Sequence, residues 1–131
     1  MRHDQMGQVL LKANLIAHRV KLDELAHALG DSPTAPQTAS VGLFFGPTVV
    51  GYRKFVDTVG LDLGRALLGG HEVAWSRPFR AEEAVVAEMS MVEYTDKNGM
   101  EFGTFETRFS TPGGELIQSQ RTTFVERAVK P

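Results

Sequence analysis

The sequence contains no cysteine. That excludes disulfides, thiolate nucleophiles and Cys-ligated zinc, and it suits a cytoplasmic protein, the location expected here. Long apolar runs are missing too. No stretch approaches the roughly 20 residues of a membrane span, and Met1 to Gln8 lack the apolar core of a signal peptide. There is little net charge, since 14 Lys and Arg against 16 Asp and Glu leave −2. A nucleic acid or an anionic membrane needs a clustered basic surface, so neither is an expected partner. No spacing of His, Asp and Glu suggests a metal site, and no cofactor is expected. What remains is ordinary: 131 residues, 42% hydrophobic and 23% charged, enough for one domain spanning residues 1–131 with a real core.

The patterning reads as α+β. Residues Gln8 to Val20 show no clean period, and Leu15 to Val20 is read as a short strand. Leu22, Leu25, Ala26 and Leu29 lie at i, i+3, i+4 and i+7, which predicts a helix with one apolar stripe. Asp23 and Glu24 then occupy its first turn, where the helix dipole favours negative charge, and Gly30 is a natural stop. A loop rich in Ser, Pro, Thr and Ala follows from Asp31 to Ser40. Pro47 suits the first position of a second helix. Along it Val49, Val50, Tyr52, Phe55, Val56 and Val59 form a wide apolar arc, predicting a largely buried helix that stops at Gly60.

Everything after Gly70 reads as strands and turns. His71 to Ser76 is short and extended. Ala84 to Tyr94 is longer, with Val85, Ala87, Met89 and Met91 on one face. Asp96 to Gly99 is a hairpin turn built on Asn98-Gly99. In the return strand, Glu101 to Ser110, Phe105, Thr107 and Phe109 alternate, while Phe102 falls out of phase and predicts a bulge at Gly103. Thr111 to Glu115 turns the chain again, and Leu116 to Glu126 is the last strand. Such a meander must bury its apolar face, and wrapping around one long central helix does so.

The stretch from Gly70 to Glu83 resembles the MaoC-like dehydratase and (R)-specific enoyl-thioester hydratase family, in its FAS1-like dehydratase N-terminal domain type. It shows an alternating strand, an Arg77-Pro78-Phe79 step and a basic-small-acidic turn. Gly113-Gly-Glu-Leu-Ile117 and Arg121-Thr-Thr-Phe-Val125 resemble the family's closing hairpin and last strand. Gly46-Pro-Thr-Val-Val50 is similar to the entry to its central helix. Leu25-Ala-His-Ala-Leu-Gly-Asp31 is similar to the helix before its catalytic loop. The likeness spans roughly residues 18 to 127, with Glu82-Glu83 standing where the family has a Gly-Asp turn.

This resemblance implies a hot-dog fold, dimerisation through the sheet, and an acyl thioester carried on CoA or an acyl carrier protein. The implied reaction is reversible syn addition of water to a 2-enoyl thioester. The family uses an Asp and a His five residues apart, in a motif like Gly-Asp-x-Asn-Pro-x-His. Here the loop reads Gly30-Asp31-Ser32-Pro33-Thr34-Ala35-Pro36. Asp31 matches the acid, but Pro36 occupies the His position and has no proton to transfer. The chain is therefore expected to be a non-catalytic subunit, paired as a heterodimer with a homologous subunit that brings the Asp/His pair, or as a homodimer. A self-sufficient hydratase or thioesterase and an acyl-thioester binding module are the alternatives. A thioesterase would need an acidic residue near the central helix, and Asp57 lies well along it.

Phe44, Phe45, Pro47 and Tyr52 are the expected walls of the acyl tunnel. Each aromatic among them, like Trp75, is first of all a core candidate. For Asp31 a turn-forming role is the default. His71 is read as a strand-edge residue hydrogen-bonded to backbone and His27 as a structural neighbour of Asp31, while His3 and His18 offer nothing. Arg77, Arg80 and Lys97 are candidates for a phosphate of the carrier, with solvated surface charge the commoner outcome.

Overall fold

The computed structural model describes residues 1–30 and 42–128. Its elements are strand β1 (Val9–Ala17), helix α1 (Arg19–Leu29), a 3-10 turn (Gly46–Thr48), helix α2 (Tyr52–Val59), a second 3-10 turn (Leu63–Arg65), and strands β2 (Ala66–Trp75), β3 (Glu83–Lys97), β4 (Met100–Ser110) and β5 (Leu116–Arg127). The strands form one antiparallel sheet in the order β1-β3-β4-β5-β2, leaving β1 and β2 as its edges.

Period-two alternation decides which face of the sheet is covered. Val85, Ala87, Met89 and Met91 are each 1% exposed, and Phe105, Thr107 and Phe109 from β4 are fully buried beside them. Two clusters fill this inner face. One gathers Phe55 and Val59 of α2 with Leu11, Leu61, Met89, Met91 and Phe105. The other sets Leu22 of α1 against Ala17, Phe79, Val85, Ala87, Phe109 and Ile117. The outer face carries an ion-pair ladder: Lys12–Glu88, Arg108–Glu106, and Arg121 with both Glu93 and Glu106. The hairpin turn is as read, with Asn98 and Gly99 both at positive φ.

Five expectations need correction. The first strand runs Val9–Ala17, and Arg19 already belongs to the helix. Helix α1 therefore starts three residues before Leu22, so Asp23 and Glu24 lie beyond its first turn. Its first amide is satisfied from afar: the Arg19 N–H donates to Glu82 Oε1 at 2.8 Å. Glu82 itself sits at φ 62, the left-handed conformation that a glycine would adopt without strain.

The central helix is also shorter than its apolar arc suggests. Gly51, at φ 94, separates the 3-10 turn from an α2 of eight residues. Phe55 and Val59 are buried, but Tyr52 is 57% exposed. Next, β2 begins at Ala66, ahead of the expected His71. Lastly, Gly103 is no bulge. Alternation passes through it unbroken, Phe102 points to the outer face, and the extra residue is Val92 on β3, where the register shifts between Met91 and Glu93. Gly103 instead leaves room for the Met1 side chain, whose sulfur lies 2.2 Å from where a Cβ would be. The Met1 ammonium lies 3.3 Å from Glu101 and 3.2 Å from the buried Glu126.

Gly46 lies so close to β4 that a Cβ there would stand 2.3 Å from Thr107 Oγ1 and 2.6 Å from Thr107 Cβ. Gly46→Ala is expected to destabilise the fold by about 1–3 kcal/mol, read as a lowered urea midpoint at unchanged m-value.

Candidate functional site

The chain from Leu43 to Pro47 crosses the inner face over β4 and β5, held by Gln120. The Gly46 N–H donates to Gln120 Oε1 at 2.7 Å, and Gln120 Nε2 donates to the Phe44 carbonyl and to Gln118 Oε1, both at 2.8 Å. Gln120 is fully buried, so these bonds form where water cannot compete. Phe44 stacks on Phe109 with centroids 5.5 Å apart and meets Phe79 edge-on at 5.3 Å. Thr107 Oγ1 is buried, capped by Gly46, and has no hydrogen-bond partner among the described residues.

Beyond Gln120 the inner face continues onto β2. His71 pairs with Thr122 in the register. Its Nδ1 lies 2.9 Å from Thr122 Oγ1, and its ring centre lies 5.1 Å from that of Phe45. Partial burial holds the His71 pKa below the ordinary imidazole value. On the same face of β2, Leu68 is 55% exposed and Trp75 50% exposed. The inner face is thus sealed toward β1 and open toward the β2 edge.

The expected tunnel residues therefore divide. Phe44 belongs to the core, Pro47 is buried, and Tyr52 faces outward. Phe45, half-buried against His71, borders the open side. Asp31, Pro33 and Pro36 lie outside the described residues, as does any meeting of His27 with Asp31. His71 bonds to a side chain, Thr122, in place of the backbone partner expected for a strand-edge histidine. His18 lies 3.5 Å from Glu82, and His3 stacks on Tyr94.

Arg77 is spent internally. It bonds Glu83, and its Nε donates to Glu115 at 2.7 Å, leaving little for a phosphate. Lys97 lies at the far end of β3, roughly 45 Å along the strand from Glu83 at the usual rise per residue. Among the described residues no group of His, Asp and Glu is arranged to hold a metal ion. A cavity of about 480 Å³ opens elsewhere, lined by residues including Arg65, Leu67, Met100, Val125 and Arg127.

Residues 15–120 match the family described as the FAS1-like dehydratase domain region. The chain belongs to that family. Its fold is the MaoC-like hot-dog fold, an α+β arrangement. The solved structures it resembles include the HadBC (3R-hydroxyacyl-ACP dehydratase) complex of Mycobacterium tuberculosis, at TM-score 0.67 and 18% identity over 95% of this chain and 99% of that one. The ChsH1-ChsH2 complex from the same organism matches at TM-score 0.59 and 16% identity, over 95% and 100%. The R-hydratase PhaJ1 of Pseudomonas aeruginosa matches at TM-score 0.56 and 18% identity, over 93% and 83%. No curated protein matches the sequence at a significant level.

In this hot-dog chain two substitutions probe the seat and its border. Gln120→Met keeps the bulk and strands the Gly46 N–H and the Phe44 carbonyl, so a stability loss of about 1–3 kcal/mol is expected on chemical denaturation. Glu83 has its pKa lowered, first by its hydrogen bond with Arg77. Its contribution is then present above its unfolded value of 4.5 and lost as pH falls through the lower folded value. The Tm gap between wild type and Glu83→Gln should be widest at neutral pH and shrink below pH 4.5.

Proposed function

We propose that this chain is the non-catalytic member of a hot-dog dehydratase or hydratase that interconverts (R)-3-hydroxyacyl and 2-enoyl thioesters on CoA or an acyl carrier protein. The observation that carries this reading is the loop Gly30 to Pro36. Asp31 stands at the family's acid position, while Pro36 stands where the family has His. An amide-bound proline nitrogen holds no proton, so one of the two proton transfers has no agent in that loop. A homologous subunit with the complete motif then supplies the pair, and this chain supplies part of the acyl wall, Phe45 foremost, with Phe44, Pro47 and Tyr52 around it.

The open β2 edge supports such pairing. Ten residues long, with Leu68, Val73 and Trp75 beside His71 on its inner side, it is a sheet edge among the described residues that a second hot-dog chain, homologous or identical, could extend. Two of the solved neighbours bear the names of two-component complexes, HadBC and ChsH1-ChsH2, which fits a heterodimer. No described helix is long and apolar enough to cross a membrane. With no cysteine in the sequence, we place the protein in the cytoplasm.

The test is hydration of crotonyl-CoA. The purified chain alone should fall about a hundred- to ten-thousand-fold short of a complete enzyme. Mixing it with a hot-dog subunit from the same genome that carries the full Gly-Asp-x-Asn-Pro-x-His motif should restore turnover. Turnover by the chain alone, abolished by Asp31→Asn, overturns the non-catalytic assignment.

A further inference from the structure

The contact between His71 and Thr122 favours one position for the imidazole proton, on energetic grounds. Thr122 is fully buried, and its hydroxyl lies 2.9 Å from His71 Nδ1. If Nδ1–H donated to Oγ1, the Thr122 hydroxyl proton would need a further acceptor inside the sheet, and an unmade buried donor costs about 1–3 kcal/mol. If Oγ1–H donates to Nδ1, both groups are satisfied by one bond. The neutral ring then carries its proton on Nε2. The lowered pKa keeps the ring neutral at pH 7, so Nε2 is a donor there and not a base.

The surroundings suit a ligand that is apolar with one acceptor. Phe45 packs against the ring, and Leu68 and Trp75 flank it along the same face of β2 with half their surface uncovered. The backbone donor next to Phe45, the Gly46 N–H, is already bonded to Gln120 Oε1. A carbonyl lying against Phe45 therefore finds its donor on β2. A neutral, fixed N–H stabilises charge that develops on such an oxygen without itself titrating.

We propose that His71 donates a hydrogen bond from Nε2 to the carbonyl oxygen of the acyl thioester. This rests on the acyl-thioester reading above and names the group of this chain that meets the reacting end of the ligand. It also gives the chain a share in the chemistry without a proton-transfer role of its own, since polarising the carbonyl acidifies the α-carbon whichever subunit removes the proton.

The experiment compares two probes by calorimetry on the full chain mixed with the motif-bearing hot-dog subunit of the hydration test: butyryl-CoA, which has the carbonyl, and S-butyl-CoA, a thioether that lacks it. Wild type should prefer butyryl-CoA by about tenfold, the scale of one hydrogen bond to a neutral donor. His71→Phe should bind both probes alike, and His71→Gln, which keeps an amide donor, should recover part of the preference. A merely structural role would weaken both probes equally. The proposal is overturned if wild type binds the two probes equally, or if His71→Phe keeps the preference. Should wild type bind neither probe, the acyl-thioester reading itself falls and the His71 assignment goes with it.

Discussion

The inner face of this sheet is organised around Gln120. A chain segment that crosses a sheet brings its own N–H and C=O groups into a place without water, and each must be satisfied there. One glutamine does this for two of them, taking the Gly46 N–H and giving to the Phe44 carbonyl, while Gln118 holds its amide in place. With the backbone so fixed, Phe44 packs against both Phe79 and Phe109, and Phe45 turns toward His71. The close approach of Gly46 to Thr107 follows from the same seat. A polar residue at a core position is thus what separates the closed half of the inner face from the open half.

The two faces of the sheet divide the work unevenly. The outer ladder of Lys12, Glu88, Arg108, Glu106, Arg121 and Glu93 consists mostly of exposed pairs, each worth about 0–1 kcal/mol, so it keeps that face wet more than it holds the fold. The partly buried Arg77–Glu83 pair differs, since it ties the turn after β2 to the first residue of β3.

What was legible in the sequence was what depends on neighbours in sequence. The inward row from Val85 to Met91, the alternation of Phe105, Thr107 and Phe109, and the Asn98-Gly99 turn all follow from local periodicity or local φ requirements, and all are observed. Much of what escaped depends on distant partners. The start of α1 is set by Glu82, sixty-three residues from Arg19. Helix α2 is cut by Gly51, which apolar spacing cannot register because Val49 and Val50 keep the arc continuous across it. Nothing in the final strand's sequence marks Gln118 and Gln120 as inward, and β4 carries no hint of an opposing glycine. Of the candidate site, the resemblance points to Phe45 and its neighbours as walls, which remain a proposal, while Asp31 and Pro36 fall outside the described residues and stand on sequence alone. The signal for His71 was its phase, since it falls on the inner face once its register with Thr122 is known.

Each of the four strand pairings contains one register slip, with Leu10, Gly69, Val92 and Ile117 as the extra residues. A bulge bends its strand and tightens the local twist. Spread over four of the five strands, such slips favour a curled sheet through its own pairing pattern, so it need not be moulded around a long rod. That accounts for how a helix of only eight residues suffices at the centre. Curvature here is written into the strands, and the helix occupies a concavity that it did not have to create.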